Sequence, residues 1–283
     1  MGLPIVIVTE GDRATGALAP DTTMAAYKAL HEDGVVILRG AFPPEAIDAL
    51  HGEFTACYGN FDRSQMQAMS ERPPPNPVQK AGDGRFSIAI RMTGGFGQSD
   101  LFANAILINL LRQLLGGNIM RLTSMTAVAS YPGAQIQHVH RDNPPLFEEF
   151  PHIGPALPFY AVTVSIPLID VDHAIGPTGF WPGSHRWETN QSSPETMQSI
   201  PFQRGDCVLV DYRTVHVGLP NASRTIRPIL YLVYSREWFV DDGNDRQRVP
   251  LDITVEDILA LPQNLQLLML RAYQQAVRAR HHV

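Results

Sequence analysis

The chain has 283 residues, of which 44% are hydrophobic and 18% charged, with a formal net charge of −6 and two cysteines. This is the balance of an ordinary folded protein and excludes a disordered or fibrous chain, while the scattered lysines and arginines leave no basic footprint for nucleic acid. A transmembrane helix needs about 18 uninterrupted apolar residues, and Ala105 to Leu115 is too short and is broken by Asn109 and Arg112, so no membrane segment is expected.

Cys57 and Cys207 fit no Cys-x-x-Cys spacing and read as reduced, buried thiols of a soluble cytoplasmic protein. The N-terminal MGLPIVIVTEGDR has an apolar run without a basic flank or a small-residue cleavage site, which predicts a first strand. Asp21-Thr22-Thr23 offers N-caps for a helix through about His31, and Pro43-Pro44-Glu45 opens another through Tyr58, with Gly34 and Gly59 as stops. Residues 72–84, rich in proline and glycine, predict a loop placed to cover a site. Thr93-Gly94-Gly95-Phe96-Gly97 lacks the Lys-Ser/Thr of a phosphate loop and reads as a turn. A third helix is predicted from Leu101 to Leu115, ending at Gly116-Gly117.

From Met120 to Trp238 the texture changes to short β-branched or alternating runs divided by Pro, Gly, Asn and Asp, as in a β sandwich or barrel. The predicted strands are Met120–Tyr131, Gln137–Asp142, Tyr160–Ile169, Ser199–Gln203, Cys207–Tyr212 and Arg227–Ser235. A last helix, Val255 to about Arg278 with an interruption at Pro262, packs on the barrel or on a second subunit, which leaves a homodimer open; His281 and His282 read as solvated tail. The fold class is mainly β with flanking helices, in one domain over 1–283: N-terminal support over 1–119, a catalytic core over 120–238 and a helical extension over 239–283.

The chemistry concentrates in Gln137-His138-Val139-His140-Arg141-Asp142. On a strand, His138, His140 and Asp142 share one face. Successive members stand about 6.6 Å apart, so two neighbours converge on one ion only with a third ligand from elsewhere. Two histidines and a carboxylate on one face of an octahedron leave three positions open, the arrangement of non-haem Fe(II) oxygen chemistry.

The second element runs from Asp211 through His216 to Arg227 and into an apolar strand. Gly218, Pro220, Asn221 and Ser223 predict a hairpin centred between Asn221 and Ala222, which makes His216 and Arg227 cross-strand partners about 5 Å apart. An arginine beside a metal-bound imidazole suits a small dicarboxylate, which it grips bidentately through charge-assisted hydrogen bonds of about 1.5–3 kcal/mol each.

These motifs, with Gly176-Pro177-Thr178, Pro182-Gly183-Ser184-His185, Gly205-Asp206 and the Glu32 to Gly40 stretch, make residues 25–238 resemble the phytanoyl-CoA dioxygenase family of Fe(II)/2-oxoglutarate oxygenases. The resemblance implies a double-stranded β-helix (jelly-roll, cupin-like) core and Fe(II), 2-oxoglutarate and O2 as cofactor and cosubstrates. It further implies His140, Asp142 and His216 as iron ligands, Arg227 as the cosubstrate anchor, and Thr178 and His138 as cosubstrate contacts. His138 departs from the glutamine common there. No catalytic side chain beyond the metal ligands is implied, and because Asp142 is retained, no halogenation is expected. The implied reaction oxidises a carbon of a small metabolite by hydroxylation, desaturation, epoxidation or rearrangement. Candidate substrate contacts are Arg91, Met92, Phe147, Tyr160, Trp181 and Trp238, while His185 is expected to tie a turn together. The rival readings are a cupin-like metal enzyme without 2-oxoglutarate and a non-catalytic jelly-roll binding protein.

Overall fold

The computed structural model describes residues 2–281 apart from 74–75, 118–119, 148, 190 and 242–250, so Pro74, Pro75 and His282 lie outside the described residues. Short runs dense in Val, Ile and Leu, such as VVILR, AVTVSIP and CVLVD, form strands buried along nearly their whole length, as central strands covered on both faces must be. In chain order the strands are β1 Ile5–Ile7, β2 Val35–Arg39, β3 Val78–Gly82, β4 Arg85–Ala89, β5 Met120–Ser130, β6 Ala161–Pro167, β7 Thr178–Phe180, β8 Cys207–Asp211, β9 His216–Gly218 and β10 Arg227–Arg236.

Eight of them make one sheet in the order β1-β2-β8-β6-β10-β5-β4-β3, antiparallel except for β1 on β2, and β7 pairs with β9 in a second, minor sheet. Two chain segments extend the minor sheet, His140 bridging to His216 and Gln198 to Phe180. The result is the expected jelly roll, a large sheet folded over a small one with helices flanking it.

Strand alternation divides the large sheet into two chemistries. Leu122, Met125, Ala127, Ala129, Val162, Val164, Ile166, Leu230, Leu232 and Tyr234 turn outward into the main apolar core, together with Leu30 of helix Pro20–Asp33, Ile47 and Phe54 of helix Pro44–Tyr58, and Leu107 and Leu111 of helix Ala105–Leu115. Each fully buried side chain of this kind stabilises the fold by about 1.5–3 kcal/mol. The opposite face of β4, β5, β10 and β6 carries Arg85, Ser130, Thr126, Arg227, Tyr231, Ser165 and Thr163, brought into line by the registers Arg85↔Ser130↔Arg227, Thr126↔Tyr231↔Ser165 and Val233↔Thr163.

Several sequence expectations need correction. The helix expected to end near His31 begins at Pro20, in the first-turn position that proline favours, and no side chain of Asp21, Thr22 or Thr23 caps it. The 72–84 loop gives way at Val78 to a hairpin of β3 and β4, because Val78, Phe86 and Ile88 alternate into the core. The helix predicted over Leu101–Leu115 is two helices, Ser99–Phe102 and Ala105–Leu115, parted where Asn104 caps the second by accepting from the Ile106 and Leu107 amides. Gln137–Asp142 and Ser199–Gln203 are not strands but extended chain with isolated bridges. Cys57 is exposed while Cys207 is buried, and both are free thiols.

The C-terminal segment forms helices Val255–Ala260, Gln263–Leu268 and Leu270–His281, broken at Pro262 as expected; Leu268, Met269 and Ala272 bury in the main core, so it packs on the barrel. His185 donates from Nε2 to the His31 carbonyl (3.2 Å), tying its turn to the end of the Pro20–Asp33 helix. No helix among the described residues is long and apolar enough to cross a membrane.

Candidate metal centre

Residues 133–140 run antiparallel to 216–221, with Gln137 N donating to Gly218 O (3.0 Å) and His140 and His216 exchanging both backbone hydrogen bonds (3.1 and 2.9 Å). As directly opposed residues of a hydrogen-bonded pair they share one face, and their imidazoles lie 4.3 Å apart between ring centroids. Asp142, two residues on, lies in a bend that turns its carboxylate toward them, with Oδ1 3.6 Å from His216 Nε2. One ligand atom from each of His140, Asp142 and His216 lies within 4.8 Å of the others, and this trio is the only such group among the described residues.

The donors are oriented by the chain itself. His140 Nδ1 donates to His138 O (2.8 Å) and His216 Nδ1 to Thr214 O (3.0 Å), which selects the tautomer that leaves each Nε2 lone pair free for a metal. Burial, and then the neighbouring His216, push the His140 imidazole down to about 4, so it is neutral at pH 7 as a ligand must be. The His138 ring lies 4.8 Å from that of His140, on the exposed side of the trio.

Arg227 is 1% exposed. It is not the hairpin partner of His216: β9 pairs with β7, whereas β10 lies between β5 and β6 in the large sheet, so the 219–226 connection crosses from one sheet to the other. Its guanidinium donates to the Gly176 carbonyl, while its Nε has no partner. Gly176 has φ +82°, and a Cβ there would fall 2.7 Å from the Leu219 oxygen and closer still to that of Pro220. Only glycine lets the two segments meet over the arginine.

Tyr231 connects the anchor to the metal trio. Burial raises its hydroxyl pKa, with Arg227, Thr178 and Arg85 opposing and Asp142 adding to the rise. Thr178 in turn lies on the same face of the minor sheet as Phe180, the partner of His216. Arg85, fully buried, stands beside Arg227 across Ser130 and donates to the Gln135 (3.1 Å), Gly218 (3.3 Å) and Leu219 carbonyls, leaving Nη1 without a partner. Burial, and then Arg227, lower its pKa to about 10. No carboxylate among the described residues forms an ion pair with either arginine. Buried unpaired charge is expensive, and two buried guanidinium groups with unpartnered nitrogens fit a carboxylate ligand.

Tyr231, Arg85 and Thr163, whose hydroxyl bonds Asp142, were missed in the sequence. Tyr231 was within reach, since it lies four residues after Arg227 on the same strand face, and Thr163 and Ser165 alternate with Val162, Val164 and Ile166. Arg85 gave no signal, being at the edge of a stretch read as loop.

The six substrate candidates scatter, and no described contact joins any of them to the trio. Met92 is buried in the main core, and Trp181 packs with Val215 and Val217 and donates to Ser193 O (2.8 Å). Tyr160 is buried against Phe239, 4.7 Å between centroids, with Arg213 over its ring. Arg91 is exposed at a backbone bridge to Asp252, and Phe147 and Trp238 are exposed, Trp238 lying 6.2 Å from Tyr160.

Among curated proteins the chain is similar to the "Iron/alpha-ketoglutarate-dependent dioxygenase ausO" of Aspergillus calidoustus, 27% identical over 76% of this chain and 74% of that one. It is also similar to the "Dioxygenase ALT11" of Alternaria alternata, 26% identical over 80% and 74%. Among solved structures, the alpha-ketoglutarate-dependent epimerase SnoN from nogalamycin biosynthesis superposes with TM-score 0.57 at 20% identity over 77% of this chain and 84% of that one. HygX from Streptomyces hygroscopicus, solved with nickel and 2-oxoglutarate, does so with TM-score 0.57 at 13% identity over 80% and 90%. Residues 30–229 match the phytanoyl-CoA dioxygenase (PhyH) family model across most of the jelly roll, and the chain belongs to that family.

Proposed function

We propose that this chain is an Fe(II)- and 2-oxoglutarate-dependent dioxygenase that oxidises an unactivated carbon of a small specialised metabolite. The observation that carries the reading is the His140–Asp142–His216 trio together with a buried, acid-free Arg227, both within electrostatic reach of Tyr231. The trio would hold Fe(II), which with 2-oxoglutarate and O2 bound supplies oxidation of a substrate C–H bond coupled to release of succinate and carbon dioxide.

The chain's own contribution is placement. His140 and His216 offer preset Nε2 donors, Asp142 offers Oδ1, and Arg227 receives the far carboxylate of the cosubstrate. Thr178, which influences the Tyr231 hydroxyl, and His138, whose ring is tilted 39° against that of His140, are its proposed side contacts. Exposed Phe147 and Trp238 are the proposed substrate contacts, and retention of Asp142 argues against halogenation. A rival jelly-roll enzyme without 2-oxoglutarate has no use for an unpaired Arg227. The two free thiols fit a reducing, cytoplasmic setting.

The test is turnover of labelled 2-oxoglutarate by anaerobically iron-loaded protein on admission of air, with a panel of candidate metabolites. Succinate and carbon dioxide should form with the wild type and fall to background with His140→Ala and Arg227→Ala. Equal turnover in all three proteins would overturn the reading.

A further inference from the structure

The three donors are not held in the same way. The imidazoles of His140 and His216 are fixed by backbone carbonyls, those of His138 and Thr214, which no substitution removes. Asp142 has no such support from regular structure, because it sits in a bend and its side chain is 24% exposed. On one side the preceding Arg141 is pinned, donating to the Ser184 (3.0 Å) and Trp187 (3.1 Å) carbonyls. Among the described residues the carboxylate accepts one hydrogen bond, from the Thr163 hydroxyl to Oδ2 at 2.6 Å. That length is typical of a charge-assisted O–H···O⁻ bond.

Thr163 is well placed for such a role. It is 4% exposed and lies in the middle of β6, locked by its ladders to Val233 of β10 and Val210 of β8, so its hydroxyl cannot follow a wandering carboxylate. With Oδ2 engaged, Oδ1 is the oxygen turned toward His216 Nε2, 3.6 Å away.

We propose that Thr163 is a positioning residue that restricts Asp142 to one-oxygen ligation and so keeps three metal positions open. The inference rests on the proposed function, since 2-oxoglutarate takes two positions and dioxygen one. Freed from Thr163, Oδ2 swings in as a second ligand oxygen and occupies one of the positions the cosubstrate requires. The hydroxyl thereby governs cosubstrate binding more than metal binding, which separates this role from a merely structural one.

The experiment is anaerobic titration of the Fe(II)-loaded full chain with 2-oxoglutarate, followed by the visible charge-transfer absorption of the chelate. Fe(II) affinity is measured separately against a competing chelator. Thr163→Val should weaken 2-oxoglutarate binding on the order of 10–100-fold, with a smaller change in Fe(II) affinity, and Thr163→Ser should restore both absorption and affinity. Circular dichroism melting checks that Thr163→Val folds, and Thr163→Ala takes its place if it does not. A hydroxyl-free variant that binds 2-oxoglutarate as the wild type does, or a Thr163→Ser that fails to restore binding, overturns the inference and leaves the proposed function standing. A wild type that binds Fe(II) but shows no 2-oxoglutarate absorption overturns the proposed function and, with it, this inference.

Discussion

The two faces of the large sheet are built from alternate residues of the same strands and do opposite work. Along β10, Leu230, Leu232 and Tyr234 enter the apolar core beneath the helices, with the Tyr234 hydroxyl closing on the Phe102 carbonyl at 2.6 Å. Arg227 and Tyr231, one step out of phase, turn to the opposite face, where the Arg227 Nε has no partner and Tyr231 lies within electrostatic reach of both Arg227 and Asp142. The contrast teaches that stability and ligand binding are separated here by the two-residue period of a strand rather than by distance. Substitutions on the two faces should therefore fail in different assays.

The largest effect belongs to the inner side: His140→Ala should abolish Fe(II)-dependent succinate formation while the melting temperature of the metal-free protein stays close to wild type. Arg227→Met sharpens the contrast. It should weaken 2-oxoglutarate binding by about 2–5 kcal/mol by isothermal titration, yet leave the ligand-free protein as stable as the wild type or more so, because a buried unpaired charge is gone. A strongly destabilised Arg227→Met would mean that the Gly176 contact is chiefly structural. On the outer side, Leu230→Ala should lower unfolding free energy by about 2–5 kcal/mol in urea melts and leave cosubstrate affinity unchanged in the folded fraction.

A pH effect of up to about 3 kcal/mol comes from His185, outside the metal trio. Burial lowers its pKa from 6.5 to about 4 in the folded chain, so between those values the unfolded chain binds more protons. The stabilisation is complete above pH 6.5 and is lost as pH falls toward 4; urea melts of His185→Asn across that window should show a flatter dependence than wild type. The smallest effect is at the exposed surface. Trp238→Ala, at a 57% exposed residue, should change stability by less than about 0.5 kcal/mol and register, if anywhere, in KM for the metabolite.

Much of this was legible in the chain. β5, β6, β8 and β10 follow from their apolar runs, and Gly34, which takes φ +72° at the end of its helix, was readable as a stop. His140 and Asp142 were found by assuming a strand, yet the structure brings them together in extended chain with a single bridge followed by a bend. The structure brings the expected residues together, but through a different element. For Arg227 the gap is wider. Turn formers between residues 218 and 223 implied a hairpin, but a jelly roll sends that connection from the small sheet to the large one, so His216 and Arg227 belong to different sheets.

The sequence alone therefore pointed to His140, Asp142, His216 and Arg227 as candidates for the chemistry, since residue type and spacing encode ligand capacity and the alternation of β10 encodes which residues share a face. Only the tertiary structure decided how they meet. Arg85 beside Arg227, 142 residues away, Tyr231 within reach of Asp142, 89 residues away, and Thr163 holding one oxygen of that aspartate, 21 residues away, are products of strand order and register. Those pairings arise from how two sheets close over one another, and local preference, which senses neighbours a few residues away, carries no record of them.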